Sequence, residues 1–249
     1  MQIIISPAKK MLTQNDDFLS RTSPCFEAEA DQITKILQSY SKEELKKLWG
    51  CSDQLVFKNY TLLHGPKLSK QPALFAYVGL QYQALAPDLL EDAALAYLSE
   101  HLKILSGLYG ILRPFDGIRP YRLEMQAKLK IGQAKDLYAF WGAKLYRTLY
   151  EKDQVVINLA SKEYAKSITK YLRPHDRFIT CIFGEEQAGQ IVQKATKVKK
   201  ARGEMVRFLA QNNVTDLEQL KTFDGLGYQF DQKRSTATQY IFIQQNKLF

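Results

Sequence analysis

Histidine and cysteine are scarce in this chain, three of each among 249 residues. Cys25, Cys51 and Cys181 stand far apart with no CxxC pair, and His64, His101 and His175 form no ExxH pattern. Zinc and iron sites need clustered thiolate, imidazole or carboxylate ligands, so no metal centre, no direct iron site and no bound cofactor are expected. Dispersed thiols fit a reducing compartment better than a disulfide framework. Long apolar runs are missing too. The opening MQIIISPAKK holds four apolar residues before its proline, and no run reaches the roughly 18 residues of a membrane span. The expectation is a soluble, cytoplasmic protein without a membrane partner. Internal repeats, low-complexity tracts and linker-like stretches are also absent, which favours one domain over residues 1–249.

What the chain does have is a substantial apolar fraction and an uneven charge. Hydrophobic residues make up 45%, enough for a core and too many for a disordered chain. The net charge is +9, which points to an anionic partner. Residues 113–135 contain six basic residues against Asp116 and Glu124, and residues 194–207 contain six against Glu204. Those two stretches carry the whole excess. Folded onto one face, they make a basic patch.

The densest local signal is LKILSGLYGILRPFDGIRPYRLEM, residues 102–125. A short apolar run leads into Ser106, Gly107 and Gly110, then Arg113, Arg119 and Arg122 with Pro114 and Pro120 beside two of them. Gly and Pro at this density mark a loop with a defined course. Guanidinium groups on such a loop suit a phosphate or carboxylate, because the planar fork donates two hydrogen bonds at once. The competing reading has the arginines locking loops by pairing with Asp116, Glu124 and Glu163.

Around this centre the pattern predicts strands at 2–5, 73–78, 102–105, 154–159 and 238–243, and a hairpin of 177–183 with 190–195 around 184–189. Helices are expected in three pieces over 26–63, with a capping box at Ser41 and Glu44, and again at 87–101 and 136–150. A basic helix with an apolar stripe follows 194, and a short helix to about 223 opens on a capping box at Thr215 and Glu218. The aromatic residues of 136–150 have core spacing, and His64 reads as a packed helix-end residue. Ser6 and Lys9 fit SxxK, but the SDN and KTG partners of that acyl-transfer motif are absent, so the lysines after the first strand read as anion holders. Asn158, Ser161 and Tyr164 follow another strand, either lining a pocket at the sheet's carboxyl edge or, for Ser161, merely capping a helix.

IISPAK (4–9), HLKILSGLYGILRPFDGIRPYRLEM (101–125), KDLYAFWG (135–142), VINLASKEY (156–164) and KKARGEMVRF (199–208) together resemble the YaaA family of bacterial proteins, also designated DUF328 or UPF0246. The resemblance implies a single compact α/β (mixed α+β) domain with a mixed sheet flanked by helices and a basic cleft. It further implies a role in peroxide and oxidative stress, exercised by binding DNA through that cleft and limiting iron-dependent damage, with a helix-hairpin-helix element. Both Gly225-Leu226-Gly227 and the 107–110 loop have a spacing near that of such a hairpin, and the second is preferred for its neighbouring arginines.

Two functions follow as expectations. In the first, Lys9, Lys10, Gly107, Gly110, Arg113, Arg119, Arg122, Lys199, Lys200, Arg202 and Arg207 contact phosphates of duplex or junction DNA, with a steep salt dependence. In the second, the chain is an enzyme on a nucleotide or other small anion, with Ser6, Ser106, Tyr121, Glu124, Asn158, Ser161 and Tyr164 lining the same pocket and Glu124 as acid or base.

Overall fold

The structure, a computed structural model, describes residues 1–13, 18–151 and 155–245. Strand β1 (Gln2–Ile5) carries three isoleucines with no exposed surface, as expected of a parallel strand covered on both faces. The two-residue strand β2 (Lys10–Met11) follows, then α1 (Glu27–Gln38), α2 (Lys42–Trp49) and α3 (Asp53–His64). The capping box of α2 forms: the Glu44 amide donates to Ser41 Oγ, and the Ser41 amide donates to the Glu44 carboxylate at 2.7 Å. His64 stacks on Tyr60 at the end of α3, with its ring nitrogens on the Tyr60 and Gln38 carbonyls.

Residues 73–78 depart from the strand expected there. They form the end of a compact weave of β3 (Gln71–Pro72), one helical turn α4 (Ala73–Ala76) and β4 (Tyr77–Val78). All four residues of α4 are buried, and a short apolar run fits a helical turn as well as a strand, so packing decides. Helices α5 (Leu80–Leu85) and α6 (Asp92–His101) lead into β5 (Leu102–Ser106), which turns back as β6 (Gly110–Leu112) before the short β7 (Gly117–Ile118).

The aromatic segment after Asp136 is two helices, not one. α7 (Leu137–Trp141) and α8 (Lys144–Leu149) part at Gly142. Trp141 is fully buried and donates its indole N–H to the Gly107 carbonyl at 3.1 Å. Next come β8 (Val155–Leu159), α9 (Lys162–Thr169), β9 (Arg177–Gln187), β10 (Gln190–Val192) and the long α10 (Ala195–Gln211). Gln154, the expected start of β8, lies outside the described residues. The β9–β10 hairpin is longer than expected, because its turn is only Ala188-Gly189, both at positive φ as a two-residue primed turn requires. α11 (Leu217–Leu220) is capped by Asp216, one residue past the expected Thr215, and β11 (Tyr228–Phe230) and β12 (Gln239–Gln244) complete the fold.

The main sheet has the order β11-β12-β9-β8-β1-β5-β6, with β10 beside β9. β5, β1, β8, β9 and β12 run parallel, while β6 and β11 are antiparallel edges. One apolar layer, including α5, α6 and α10, covers one face; α1 to α3 and α7 to α9 contribute the core on the other. From β1 the chain crosses first to β5 on one side and later to β8 on the other. The connections thus diverge at β1 and leave a crevice beyond the carboxyl ends of β1 and β8, the place where α/β sheets receive ligands.

Candidate functional site

That crevice is a cavity of about 510 Å³. Five segments line it: 6–10 after β1, 78–82 around the start of α5, 121–124 after β7, 161–164 at the start of α9, and Lys199 with Arg202 on α10. Ser6 and Ser161 hold the two strand ends together. The Ser161 amide donates to Ser6 Oγ at 2.8 Å, and the two hydroxyls lie 3.3 Å apart. Tyr82 hydroxyl donates to the Ser6 carbonyl at 3.0 Å, tying α5 to the same turn.

One wall is cationic and uncompensated. Arg202 has no ion-pair partner among the described residues, and its Nε is sealed from solvent without a hydrogen bond. Burial lowers its pKa from the usual arginine value, offset in part by the nearby Cys181 thiol, which burial pushes up to about 12. Gln81, 8% exposed, leaves its Nε2 unpaired on the same side. Gly203 brings these two residues together: a Cβ there would lie 2.0 Å from the Gln81 carbonyl oxygen, so only glycine lets α10 rest on α5 this closely.

The opposite side holds carboxylates. Glu124, 8% exposed, faces Arg122 Nη2 at 2.8 Å and Lys9 Nζ at 3.3 Å through one oxygen, Oε1, which still lacks a well-directed hydrogen bond. Arg122 Nε is likewise buried and unpaired. Glu163 accepts the Gln126 amide at 3.2 Å. Its pKa is raised above the ordinary carboxyl value, first by burial and also by the negative Glu124, against the lowering pull of Gln126 and Lys9. Behind this floor runs a chain of hydroxyls. Tyr121 shares hydrogen bonds with Ser106 (2.7 Å) and Tyr77 (2.8 Å), and Ser106 Oγ accepts from the Tyr109 amide. Burial raises the Tyr121 and Tyr164 phenols well beyond the ordinary tyrosine range, so both stay neutral.

Of the residues singled out in the sequence, Ser6, Lys9, Lys10, Tyr121, Arg122, Glu124, Ser161, Tyr164, Lys199 and Arg202 meet in this cavity. The two cationic stretches therefore converge, but only through three side chains. Arg113 does not take part: its guanidinium bonds Asp116 at 2.9 Å and the Ser23 carbonyl, and Asp116 is 1% exposed, so the pair fastens a loop. Arg119 donates to the Leu68 carbonyl at 2.9 Å and does not line the cavity. Lys200 and Arg207 lie outside the lining, and Lys194 and Lys197 both pair with Glu185, whose pKa their hydrogen bonds pull down to about 2. Asn158 shapes the end of β8, donating to Thr180 Oγ1 and accepting the Ala160 amide.

The glycine loops also differ from expectation. Gly107 and Gly110 are buried in a β5–β6 hairpin, and Gly110 has positive φ with Trp141 2.9 Å from where its Cβ would lie. Gly225–Gly227 is a single helical turn running into strand β11. Neither loop joins two helices, so neither is a helix-hairpin-helix. Gln81, Tyr82 and the raised Glu163 carboxyl are what sequence reasoning missed in the cavity. The available signal was Gly203, a glycine inside a helix where close packing is the usual reason.

Fold and cavity together define an α/β protein with a pocket at its topological switch point, one wall of which carries Lys199 and Arg202. A family model described as "Peroxide stress protein YaaA" matches residues 1–234. UPF0246 proteins of Pediococcus pentosaceus and Lactiplantibacillus plantarum are 51% and 49% identical over 245 and 248 residues, covering 98% and 99% of this chain and 98% and 100% of theirs. That of Agathobacter rectalis is 44% identical over 244 residues, covering 97% of this chain and 98% of its own. The chain belongs to the YaaA (UPF0246) family of peroxide stress proteins. Among the described residues no helix is long and apolar enough to cross a membrane, and no group of three His, Cys, Asp or Glu could hold a metal ion.

Proposed function

We propose that this family member acts in peroxide stress by holding a phosphate-bearing ligand, about one nucleotide in size, in the pocket bounded by β1, β8 and α10. Arg202 carries the reading. A guanidinium that lines a cavity with no counter-charge among the described residues is costly, and a phosphate in the cavity supplies the missing charge. The cavity of about 510 Å³ is of the size that takes a small molecule rather than a length of duplex.

A second reading places DNA phosphates along the rim, so that the bound protein limits iron-dependent damage to the duplex. It is favoured by Lys10, Lys199 and Lys200, all exposed and without an ion-pair partner among the described residues. Calorimetric titration with adenosine monophosphate, and separately with a DNA duplex, distinguishes the two. Arg202→Ala is expected to weaken the mononucleotide at least about tenfold, the scale of a hydrogen bond to a charged group, and Lys200→Ala/Arg207→Ala, both outside the cavity lining, to leave it unchanged. Mononucleotide affinity indifferent to Arg202 would sink the pocket reading. Duplex affinity whose logarithmic salt slope drops by about two in the Lys200→Ala/Arg207→Ala variant would support the rim instead.

A further inference from the structure

The two ends of the cavity have opposite chemistry. At the α10 end stand Arg202, Lys199 and the unpaired Gln81 amide, with no carboxylate paired to Arg202 among the described residues. At the α9 end stand Glu163 and Glu124, and there the cations Arg122 and Lys9 are already engaged by Glu124. A ligand anion therefore gains most at the α10 end, where the cation has no partner, and least at the α9 end, where it would meet two carboxylates. The α9 end asks for the reverse: a group that donates hydrogen bonds. Among the described residues Glu163 accepts hydrogen bonds only from backbone amides, in the Met125–Gln126 stretch, and a carboxylate has about four acceptor positions. The remaining lining is largely apolar, with Pro7, Val78 and Leu80 beside the tyrosines Tyr82, Tyr121 and Tyr164.

We infer that the pocket is polarised for a ribonucleotide, with its phosphate against Arg202, Lys199 and Gln81 and its ribose hydroxyls donating to Glu163. This rests on the phosphate reading given above and narrows its ligand class. A vicinal diol matches a carboxylate with two donors side by side, which is how acidic residues take ribose hydroxyls in other α/β crevices. A deoxyribose has no such pair, and inorganic phosphate engages only the α10 end. The aromatic wall receives the base by stacking, which is tolerant of base identity.

The experiment is a calorimetric comparison of adenosine monophosphate, its 2′,3′-dideoxy analogue and inorganic phosphate, on the full chain and on the variants Glu163→Ala and Arg202→Ala, each checked for native circular dichroism. The ribonucleotide is expected to bind about tenfold or more tightly than the dideoxy analogue. Glu163→Ala is expected to bring the ribonucleotide down to the analogue's affinity and leave the analogue where it was. Arg202→Ala weakens all three. Equal affinity for ribonucleotide and dideoxy analogue in the wild type overturns the inference while the phosphate reading stands, and so does a Glu163→Ala loss shared by both. If none of the three binds, the phosphate reading itself fails and this inference with it.

Discussion

Arg113 and Arg202 belong to the two stretches that hold the chain's positive excess, yet they sit under opposite conditions. Arg113 faces an aspartate that is almost wholly enclosed and is further bonded by Thr22 Oγ1 at 2.6 Å and the Arg113 amide at 2.8 Å. Arg202 faces a cavity and has a sealed nitrogen with no partner. The first arginine is spent on holding residues 113–117 to the Thr22 region. The second has no such counter-charge among the described residues. Sequence composition weighs the two alike, and the difference lies entirely in which carboxylate the tertiary fold delivers to each.

The strongest way to break this comparison is through the fastened side. Asp116→Ala removes the acceptor for Arg113, Thr22 and a backbone amide together, and is expected to destabilise the chain by about 3–5 kcal/mol, read as a lower urea midpoint. Ligand affinity per folded molecule should stay unchanged. If Asp116→Ala costs little, Arg113 is not a fastener and the contrast collapses. On the other side, Arg202→Met keeps most of the side-chain volume and removes the uncompensated charge. It is expected to stabilise the chain by about 1–2 kcal/mol in the same assay while weakening phosphate binding, a gain in stability traded against function. A loss of stability would mean that Arg202 has a structural partner after all.

The smallest effect concerns Glu163. Burial, its largest cause, raises the carboxyl pKa on folding, so between the ordinary and the raised value the folded chain holds a proton that the unfolded chain has released. Stability from this group is thus full at low pH and falls as pH rises through that window. Glu163→Gln is expected to flatten this fall, seen by comparing urea midpoints at acidic and neutral pH. Unchanged pH dependence in Glu163→Gln would show that the carboxyl is not strained by its surroundings.

Much of the scaffold was legible from local pattern. Ile3 to Ile5, the 102–106 run and the β8 segment are continuous apolar strands, and the Ser41 and Glu44 pair states its helix start outright. The 73–78 stretch was not, because Ala73-Leu74-Phe75-Ala76 has no period long enough to separate helix from strand. For the site, the motif residues Ser6, Lys9, Arg122, Glu124, Ser161 and Arg202 were found, since they follow strand ends or lie on the basic helix. Arg113, Arg119 and the glycines of 107–110 looked equally functional and lie outside the pocket lining. Asp116 is the partner that the competing reading of the sequence offered, whereas the Leu68 carbonyl and Trp141 are fixed by packing that no nearest-neighbour pattern records. Gln81 and Tyr82 escaped notice for the same reason, since they reach the pocket only because α5 and α10 touch at Gly203.

The pocket is sewn from segments that begin at Ser6 and end at Arg202, and no two adjacent stretches of chain suffice to make it. Occupancy is therefore linked to the cooperative folding equilibrium as a whole rather than to the order of one loop. A ligand supplied at a hundred times its dissociation constant would add about 2.7 kcal/mol to the unfolding free energy of the entire chain. A rise in melting temperature is accordingly a faithful reporter of the true ligand, and a panel of metabolites can be ranked by it before any reaction is known.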